Sequence, residues 1–267
     1  MPLNRMPLVA EMYEGAARQR QKARRYVGMS GIGNPCELAV WLGFRGVTPA
    51  PIDGRACMIF DLGDRVEQAV LKWIEAAGFK VEGRQEDFSD LGGHFRGHCD
   101  GIIHGVTQEP HILEIKSAKA AKFEKFQKQG VANTSALYAA QVQCYMAYSG
   151  LQRAIWVVMN KDTCELYTER AYFNRQEFER LREKAARIIH AQSPESLQTD
   201  KTFCNWCDFR FFCSGNHVQQ SRMCWSCAYL AFENCQSKCT HGAHSFDIVD
   251  AERVCPDYRF LFSADSF

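Results

Sequence analysis

Three short segments rich in β-forming residues occupy the middle of the chain and constrain its fold most strongly. They cover residues 79–88, 93–105 and 111–119, and Gly, Asp and Pro residues separate them. Apolar residues that alternate or run together over such lengths are typical of strands, and the short links favour antiparallel neighbours. The sequence therefore predicts an antiparallel meander at the centre of the fold.

Helical patterns surround this meander. The predicted helices cover residues 8–26, 59–77, 135–149 and 175–192. Gly78 is expected to stop the second of them. A buried strand over residues 153–161 should pair with residues 164–173 as a hairpin, with Cys164 at the turn. This order of elements predicts an α/β fold in which helices flank a mixed sheet.

The chain is long enough for one sizeable core and a small appendage. It has 267 residues, of which 46% are hydrophobic, and this excludes a wholly disordered protein. No run of about 18 apolar residues occurs, and Met1–Arg25 lacks the apolar core of a secretion signal. We expect a cytoplasmic protein without membrane association, with a main domain over residues 1–215 and a Cys-rich appendage over residues 216–267.

Positive charge is concentrated in two runs, although the net charge is only +1. Either run could follow a phosphate backbone, or each could be the solvated face of a helix. The first run contains Arg18, Arg20, Lys22, Arg24 and Arg25, and the second contains Lys116, Lys119, Lys122, Lys125 and Lys128.

A set of acidic residues is the main candidate for chemistry. Asp100 ends one predicted strand, and Glu114 and Lys116 lie two apart on the next, so their side chains share one face. Carboxylates around a cavity suit Mg²⁺ or Mn²⁺, which take oxygen ligands and keep water for chemistry. An ammonium beside the metal can orient the attacking water or stabilise charge on a phosphate. Glu67 is expected to complete the site from the preceding helix, where Gly63 would permit close packing on the sheet.

These residues resemble the signature of the PD-(D/E)XK nuclease superfamily. Asp100 and Glu114-Ile115-Lys116 match its strand motif, and Glu67 matches its helix motif. In the segment QVQCYMAYSG, Gln141 and Tyr145 lie four apart and match the Gln-xxx-Tyr motif of RecB-like members. The resemblance implies a restriction-endonuclease-like sheet and contacts from this pair to the active site or to DNA. Gln143 is an alternative for the glutamine.

A first cysteine cluster follows the nuclease-like region. The chain has thirteen cysteines, and eight of them lie in residues 204–255. Paired CxxC spacings in a cytosolic protein favour metal over disulfides. Cys204, Cys207 and Cys213 lack a fourth ligand, and Cys36, near the start of the short apolar helix that follows Ser30, is the candidate.

This arrangement resembles CRISPR-associated RecB-like exonucleases and AddB-type nuclease domains. The resemblance covers about residues 28–215 and implies a 4Fe–4S cluster that closes the nuclease domain. Soft thiolate ligands suit such a cluster. Zinc bound by the same four cysteines is the alternative.

A second cysteine cluster predicts a structural zinc site in the appendage. The expected ligands are Cys224, Cys227, Cys239 and Cys255. Cys235, His241 or His244 could replace one of them. The layout is similar to a zinc-binding module on some phage-type RecB-like nucleases. The aromatic and basic residues around it either contact DNA or only pack around zinc; they are Arg222, Trp225, Arg253, Tyr258 and Arg259.

Together these observations predict a Mg²⁺- or Mn²⁺-dependent DNA exonuclease of recombination, repair or end processing. Its partner would be single-stranded DNA or duplex ends. A recombination partner protein and a homo-oligomer are compatible with the resemblance. Two other classes remain: a non-catalytic DNA-binding adaptor that retains the nuclease fold, and an iron–sulfur redox protein. The intact acidic set argues against the adaptor, and the lack of a Gly-rich dinucleotide motif argues against the redox protein.

Overall fold

A five-stranded mixed sheet forms the centre of the fold in the computed structural model. The structure describes residues 7–18, 24–47, 54–214, 224–234, 236–242, 257–259 and 261. The strands are β1 (Val27–Gly28), β2 (Lys80–Glu82), β3 (Asp87–Asp90), β4 (Phe95–His98), β5 (Gly101–His104), β6 (His111–Ala118), β7 (Arg153–Asn160), β8 (Leu166–Tyr172), β9 (Leu230–Glu233) and β10 (Gln236–Cys239). The helices are α1 (Pro7–Arg18), α2 (Glu37–Phe44), α3 (Gly54–Ala76), α4 (Ala120–Gln129), α5 (Val131–Thr134), α6 (Ala136–Ser149), α7 (Arg175–His190) and α8 (Arg210–Cys213). Short 3₁₀ turns cover Leu91–Gly93, Pro194–Ser196, Lys201–Trp206 and Cys224–Ser226.

The main sheet has the strand order β2-β5-β6-β7-β8. β6 runs parallel to β7, and the other neighbours are antiparallel. Parallel neighbours need a crossover connection, and here α4, α5 and α6 supply it. The predicted hairpin is confirmed as β7 and β8, and Cys164 lies at the turn with φ of 64°. The predicted α/β class, with a mixed sheet flanked by helices, is confirmed.

The predicted central meander is only partly correct. The segment over residues 93–105 was expected to be one strand, but it divides at Cys99 and Asp100 into β4 and β5. β5 pairs with β6 in the main sheet, whereas β4 pairs with β3 and β1 in a separate three-stranded sheet. The division occurs where the Asp100 side chain, rather than a strand backbone, accepts the hydrogen bond from the Ile115 amide.

Helix α3 covers one face of the main sheet. Val66, Val70 and Leu71 on this helix are buried against sheet residues that include Leu113 and Ile115. The helix ends before Gly78, whose φ of 90° suits glycine, as predicted. The expectation that Gly63 permits close packing is wrong, because a Cβ at this position would meet no atom within 4 Å.

Helices α6 and α7 lie in the other layer of the core. Tyr145 and Met146 from α6, and Ile188 from α7, share one buried cluster with Trp156 of β7. Both helices were predicted within a few residues of their observed bounds. Side chains of Ser135 and Asn174 accept hydrogen bonds from the first turns of α6 and α7, as N-cap residues do.

The N-terminal helix is shorter than predicted. The expected segment extended to residue 26, but α1 ends at Arg18, and residues 24–26 are not helical. Val27 donates its amide to the carbonyl of His94 at 2.8 Å, and Met29 donates to Arg96 at 2.8 Å. Pairing with β4 therefore replaces the helix here, since tertiary contacts override local helix preference. Arg20 and Lys22 lie outside the described residues.

The described residues beyond 223 pack into the main core. Trp225 is fully buried, its ring lies 5.4 Å from Phe44, and its indole donates to the Phe44 carbonyl. The buried guanidinium of Arg45 donates to the carbonyl of Cys227 at 2.7 Å and to that of Trp225 at 3.4 Å. This segment thus shares the main hydrophobic core. The predicted boundary at residues 215 and 216 lies outside the described residues.

None of the helices in the described ranges combines the length and the hydrophobicity that a membrane-spanning helix needs.

Candidate active site

Asp100 directly precedes β5, at the end of β5 where Gly101 pairs with Leu113 of β6. Its Oδ2 atom accepts a hydrogen bond of 2.6 Å from the amide of Ile115. The side chain is almost entirely buried, and burial raises its pKa, although the nearby Lys116 and the Ile115 amide act in the opposite direction. Asp100 is therefore held rigidly beside the middle of β6.

Glu114 and Lys116 project from the same face of β6, as their spacing predicted. The Lys116 ammonium donates a hydrogen bond to Oε1 of Glu114. Glu114 is fully buried, and burial raises its pKa to about 8. Burial disfavours the Lys116 ammonium, but Glu114 and Asp100 outweigh this effect and raise its pKa. The other oxygen, Oε2 of Glu114, is buried and has no hydrogen-bond partner among the described residues.

Glu67 approaches this group from α3. Its Oε1 atom accepts a hydrogen bond of 3.0 Å from the side chain of Gln85. Burial, and next the charge of Asp100, raise the pKa of Glu67 to about 6. Asp64 also raises the pKa of both Glu67 and Asp100. The sequence reasoning missed Asp64, although it lies three residues before Glu67, a spacing that places two side chains on one helix face.

Gln141 and Tyr145 face the same site. Gln141 donates a side-chain hydrogen bond of 3.0 Å to the Tyr145 hydroxyl, and both residues are buried. Burial, followed by the charge of Glu114, raises the pKa of Tyr145. A Cβ at Gly97 would come within 2.8 Å of the Tyr145 ring, so this glycine on β4 is needed for the approach of the ring.

The alternative glutamine, Gln143, points elsewhere. Its side chain donates to the carbonyl of Tyr172 at 2.9 Å and accepts from the amide of Asn174 at 2.8 Å. It therefore links α6 to the end of β8 and the start of α7. Of the two glutamines, Gln141 is the one bonded to Tyr145, whose pKa the carboxylates of Glu114 and Asp100 raise.

Tyr138 is a second residue that the sequence reasoning missed. Its ring centroid lies 5.0 Å from the Lys116 ammonium and 4.8 Å from that of Lys122. Both distances suit a cation–π interaction. The sequence could have indicated Tyr138, because it lies three residues before Gln141 on a helix and residues with this spacing lie on one face.

The four cysteines of the first cluster lie near enough to influence one another electrostatically. Cys36 is the N-cap residue of α2, and Cys213 ends α8. Burial raises the pKa of Cys213, and the thiols of Cys207, Cys36 and Cys204 raise it further. All four are unbridged. The fold thus brings Cys36 to the three late cysteines across more than 160 positions of the chain.

The second cluster is partly described. Cys224, Cys227, Cys239 and His241 line one small cavity. The other candidate ligands, Cys235, His244 and Cys255, lie outside the described residues, as do Arg222 and Arg253. The idea that Trp225 contacts DNA is wrong, because its side chain is buried in the core. Tyr258 also turns inward and donates to the carbonyl of Ser226 at 3.0 Å.

The carboxylates of the candidate active site and the thiols of the two cysteine clusters are donor types that suit metal ions. Within the described ranges, however, no three His, Cys, Asp or Glu side chains are arranged so that they could hold a metal ion as they stand. The buried and unpartnered Oε2 of Glu114 is the strongest sign of a cation ligand, because a buried polar atom without a partner is costly. Asp100 and Glu67 supply oxygen donors on the same side. The four thiols of the first cluster suit iron–sulfur or zinc.

Comparisons with solved structures find distant resemblances. The protein SSO0001 is 15% identical, with a TM-score of 0.45 over 80% of this chain and 98% of that one. An alkaline exonuclease from Laribacter hongkongensis is 15% identical, with a TM-score of 0.45 over 67% and 90% of the two chains. A phage-related exonuclease from Haemophilus somnus is 16% identical, with a TM-score of 0.32 over 46% and 64%.

A sequence match defines the central part of the chain more closely. No curated protein matches this sequence. Residues 60–152, however, match the family described as the YqaJ-like viral recombinase domain. The matched stretch contains all six residues that the sequence predicted for the active site: Glu67, Asp100, Glu114, Lys116, Gln141 and Tyr145.

Proposed function

We propose that this chain is a Mg²⁺- or Mn²⁺-dependent DNA exonuclease of recombination or DNA end processing. The observation that carries the proposal is the meeting of Asp100, Glu114 and Lys116 at one buried point, with an unpartnered Glu114 oxygen among them. The match of residues 60–152 to a viral recombinase domain supports the link to recombination.

In this proposal Asp100, Glu114 and Glu67 hold the cation. Bound Mg²⁺ or Mn²⁺ supplies an acidified water and neutralises charge on the phosphate. Binding requires the ionised carboxylate, so Glu114 must lose its proton, and the adjacent Lys116 ammonium favours that loss.

Lys116 has the second chemical role. Burial disfavours its ammonium form, but Glu114 and Asp100 favour that form more strongly and raise its pKa. It can donate a hydrogen bond to the water or to a phosphate oxygen, and so stabilise the charge that develops in the transition state. Gln141 and Tyr145 form a rigid hydrogen-bonded pair, which suits the positioning of substrate next to the carboxylates.

We extend the proposal to the two cysteine clusters. Cys36, Cys204, Cys207 and Cys213 are proposed to bind a 4Fe–4S cluster, with zinc as the alternative. The mutual influence of their thiols supports a shared site. Loading of this site would tie α2 to the segment that follows α7, and we assign it a structural role.

A zinc site is proposed for the second cluster. Cys224, Cys227 and Cys239 provide three ligands, and the fourth is His241 or Cys255. The common cavity lined by the three cysteines and His241 supports this choice. With four protein ligands such a site would be structural.

The decisive experiment measures degradation of end-labelled DNA with Mn²⁺ by the wild type and by Lys116→Ala. We expect the variant to lose activity by about 10²-fold or more, as when one preorganised charge is removed from an active site. Lys80→Ala is the matched control, because Lys80 is an exposed lysine on the edge strand β2. Equal activity of Lys116→Ala and wild type would refute the mechanism, and inactivity of the wild type itself would favour the DNA-binding adaptor.

A further inference from the structure

Helix α4 begins directly after the strand that carries Lys116. The backbone amide of Ala120 donates to Oδ2 of Asp162 at 2.9 Å, which fixes the first turn of the helix. Phe123 and Phe126 are buried and attach the helix to the core. The lysines of this helix therefore have defined directions relative to the active site.

Lys122 lies at the edge of the buried face of α4, next to the active site. Its ammonium is 4.8 Å from the ring centroid of Tyr138 and 5.4 Å from that of Phe126. The Lys116 ammonium is 5.0 Å from the same Tyr138 ring. A cation is attracted to an aromatic face within about 6 Å. The Tyr138 ring is thus in contact with two ammonium groups, that of the largely buried Lys116 and that of the exposed Lys122.

The two ammonium groups differ in how their charge is compensated. Lys116 is paired with Glu114, whereas Lys122 has no carboxylate within ion-pair distance in the part of the chain that the structure describes. Further along the helix, Lys128 is paired with Glu124 at 3.4 Å. An exposed cation without an ion-pair partner is stabilised by an anion that binds next to it. Lys125 also lacks such a carboxylate among the described residues, so the contact of Lys122 with the Tyr138 ring, which Lys116 shares, distinguishes it on this helix.

A polyanionic substrate needs such a group here. The acidic residues Glu67, Asp100 and Glu114 repel a DNA strand unless cations compensate them. The exposed Lys122 contacts the same Tyr138 ring as Lys116, which is paired with Glu114. We propose that Lys122 binds the DNA phosphate next to the one that is cleaved, with Tyr138 as the platform for its ammonium. This inference rests on the proposed nuclease function and makes Lys122 a positioning residue. It also identifies which member of the basic run contacts the phosphate backbone.

The test measures DNA binding separately from cleavage. Fluorescence anisotropy with a labelled oligonucleotide, without added divalent cation, gives the dissociation constant of the full chain at several salt concentrations. The logarithm of affinity falls linearly with the logarithm of salt concentration, and for Lys122→Ala we expect the magnitude of this negative slope to decrease by about 0.7 on single strands or about 0.9 on duplex ends. Lys122→Arg should restore the slope. Lys125→Ala, which removes the same charge from the same helix, should change the slope less.

Kinetics provide the second readout. With Mn²⁺, Lys122→Ala should raise KM several-fold and change kcat by less than about twofold, because the residue contributes binding rather than chemistry. An unchanged salt slope in Lys122→Ala, or equal changes in Lys122→Ala and Lys125→Ala, would overturn the proposal. Because binding is measured without cleavage, an inactive wild type that still shows the Lys122 effect would refute only the nuclease function.

Discussion

The Lys116 ammonium donates a hydrogen bond to Oε1 of Glu114, two residues away on the same strand, while Oε2 of Glu114 is buried without a partner among the described residues. Only one of the two carboxylate oxygens of Glu114 therefore has a hydrogen-bond partner in the described part of the chain. A buried carboxylate in this state costs free energy, and such costs are typical of functional sites.

The first prediction concerns the pH dependence of stability. Burial raises the pKa of Glu114 to about 8, well above its ordinary value. Between the ordinary pKa of 4.5 and this raised pKa, the folded protein binds more protons than the unfolded chain. The free energy of unfolding therefore falls as pH rises. Without added divalent cation, we expect Glu114→Gln to lose the part of this fall that Glu114 causes, on the order of 3 kcal/mol between pH 5.5 and pH 8.

Urea denaturation at the two pH values measures this effect. Glu109→Gln is the matched control, because Glu109 is exposed, and it should retain the pH dependence of the wild type. The same dependence in Glu114→Gln and wild type would show that the carboxyl group is not buried as described. Glu114→Gln should also abolish Mn²⁺-dependent cleavage, because an amide cannot replace the anionic ligand.

The second prediction concerns the attachment of the C-terminal segment. Trp225 packs at 5.4 Å from Phe44 and at 5.8 Å from Phe232, and its side chain is fully buried. Replacing a buried tryptophan by alanine costs about 3–5 kcal/mol. We therefore expect Trp225→Ala to lower the free energy of unfolding by this amount in urea denaturation.

Trp73→Ala is the matched control for this experiment. Trp73 is 48% exposed on α3, so its loss should cost less than about 1 kcal/mol. Equal effects of the two substitutions would mean that the segment around Trp225 does not contribute to the main hydrophobic core.

The third prediction concerns the first cysteine cluster. Cys36 caps α2, and its thiol influences those of Cys207 and Cys213. If the four cysteines bind a 4Fe–4S cluster, Cys36→Ser should lose most of the iron and acid-labile sulfide of the purified protein. Cys164→Ser should keep both, because Cys164 is exposed at the turn between β7 and β8.

Elemental analysis distinguishes the outcomes. Full iron content in Cys36→Ser would remove Cys36 from the ligand set. Zinc in place of iron in the wild type would identify the alternative metal, and its loss in Cys36→Ser would still assign the ligand.

The elements that the sequence by itself determined are those with a local pattern. The bounds of α6 and α7 follow from helical periodicity, the end of α3 follows from Gly78, and β7 and β8 follow from a buried strand with a turn, whereas α3 begins five residues before the predicted residue 59. The shared face of Glu114 and Lys116 follows from the period of two on a strand. Each of these features depends on residues that are neighbours in the chain, and for this reason the sequence could predict them.

Only the tertiary structure decided how these elements meet. Asp100 separates two strands because its carboxylate binds a backbone amide of β6, and Gln141 rather than Gln143 faces the site because of how α6 packs. Likewise, Tyr138 joins Lys116 to Lys122 across the junction of β6, α4 and α6. These contacts join residues from different elements, and their free energy comes from burial and packing that local patterns do not encode. The spacing of residues predicted the acidic pair on β6, but the packing of α4 and α6 around it determined which residues surround that pair.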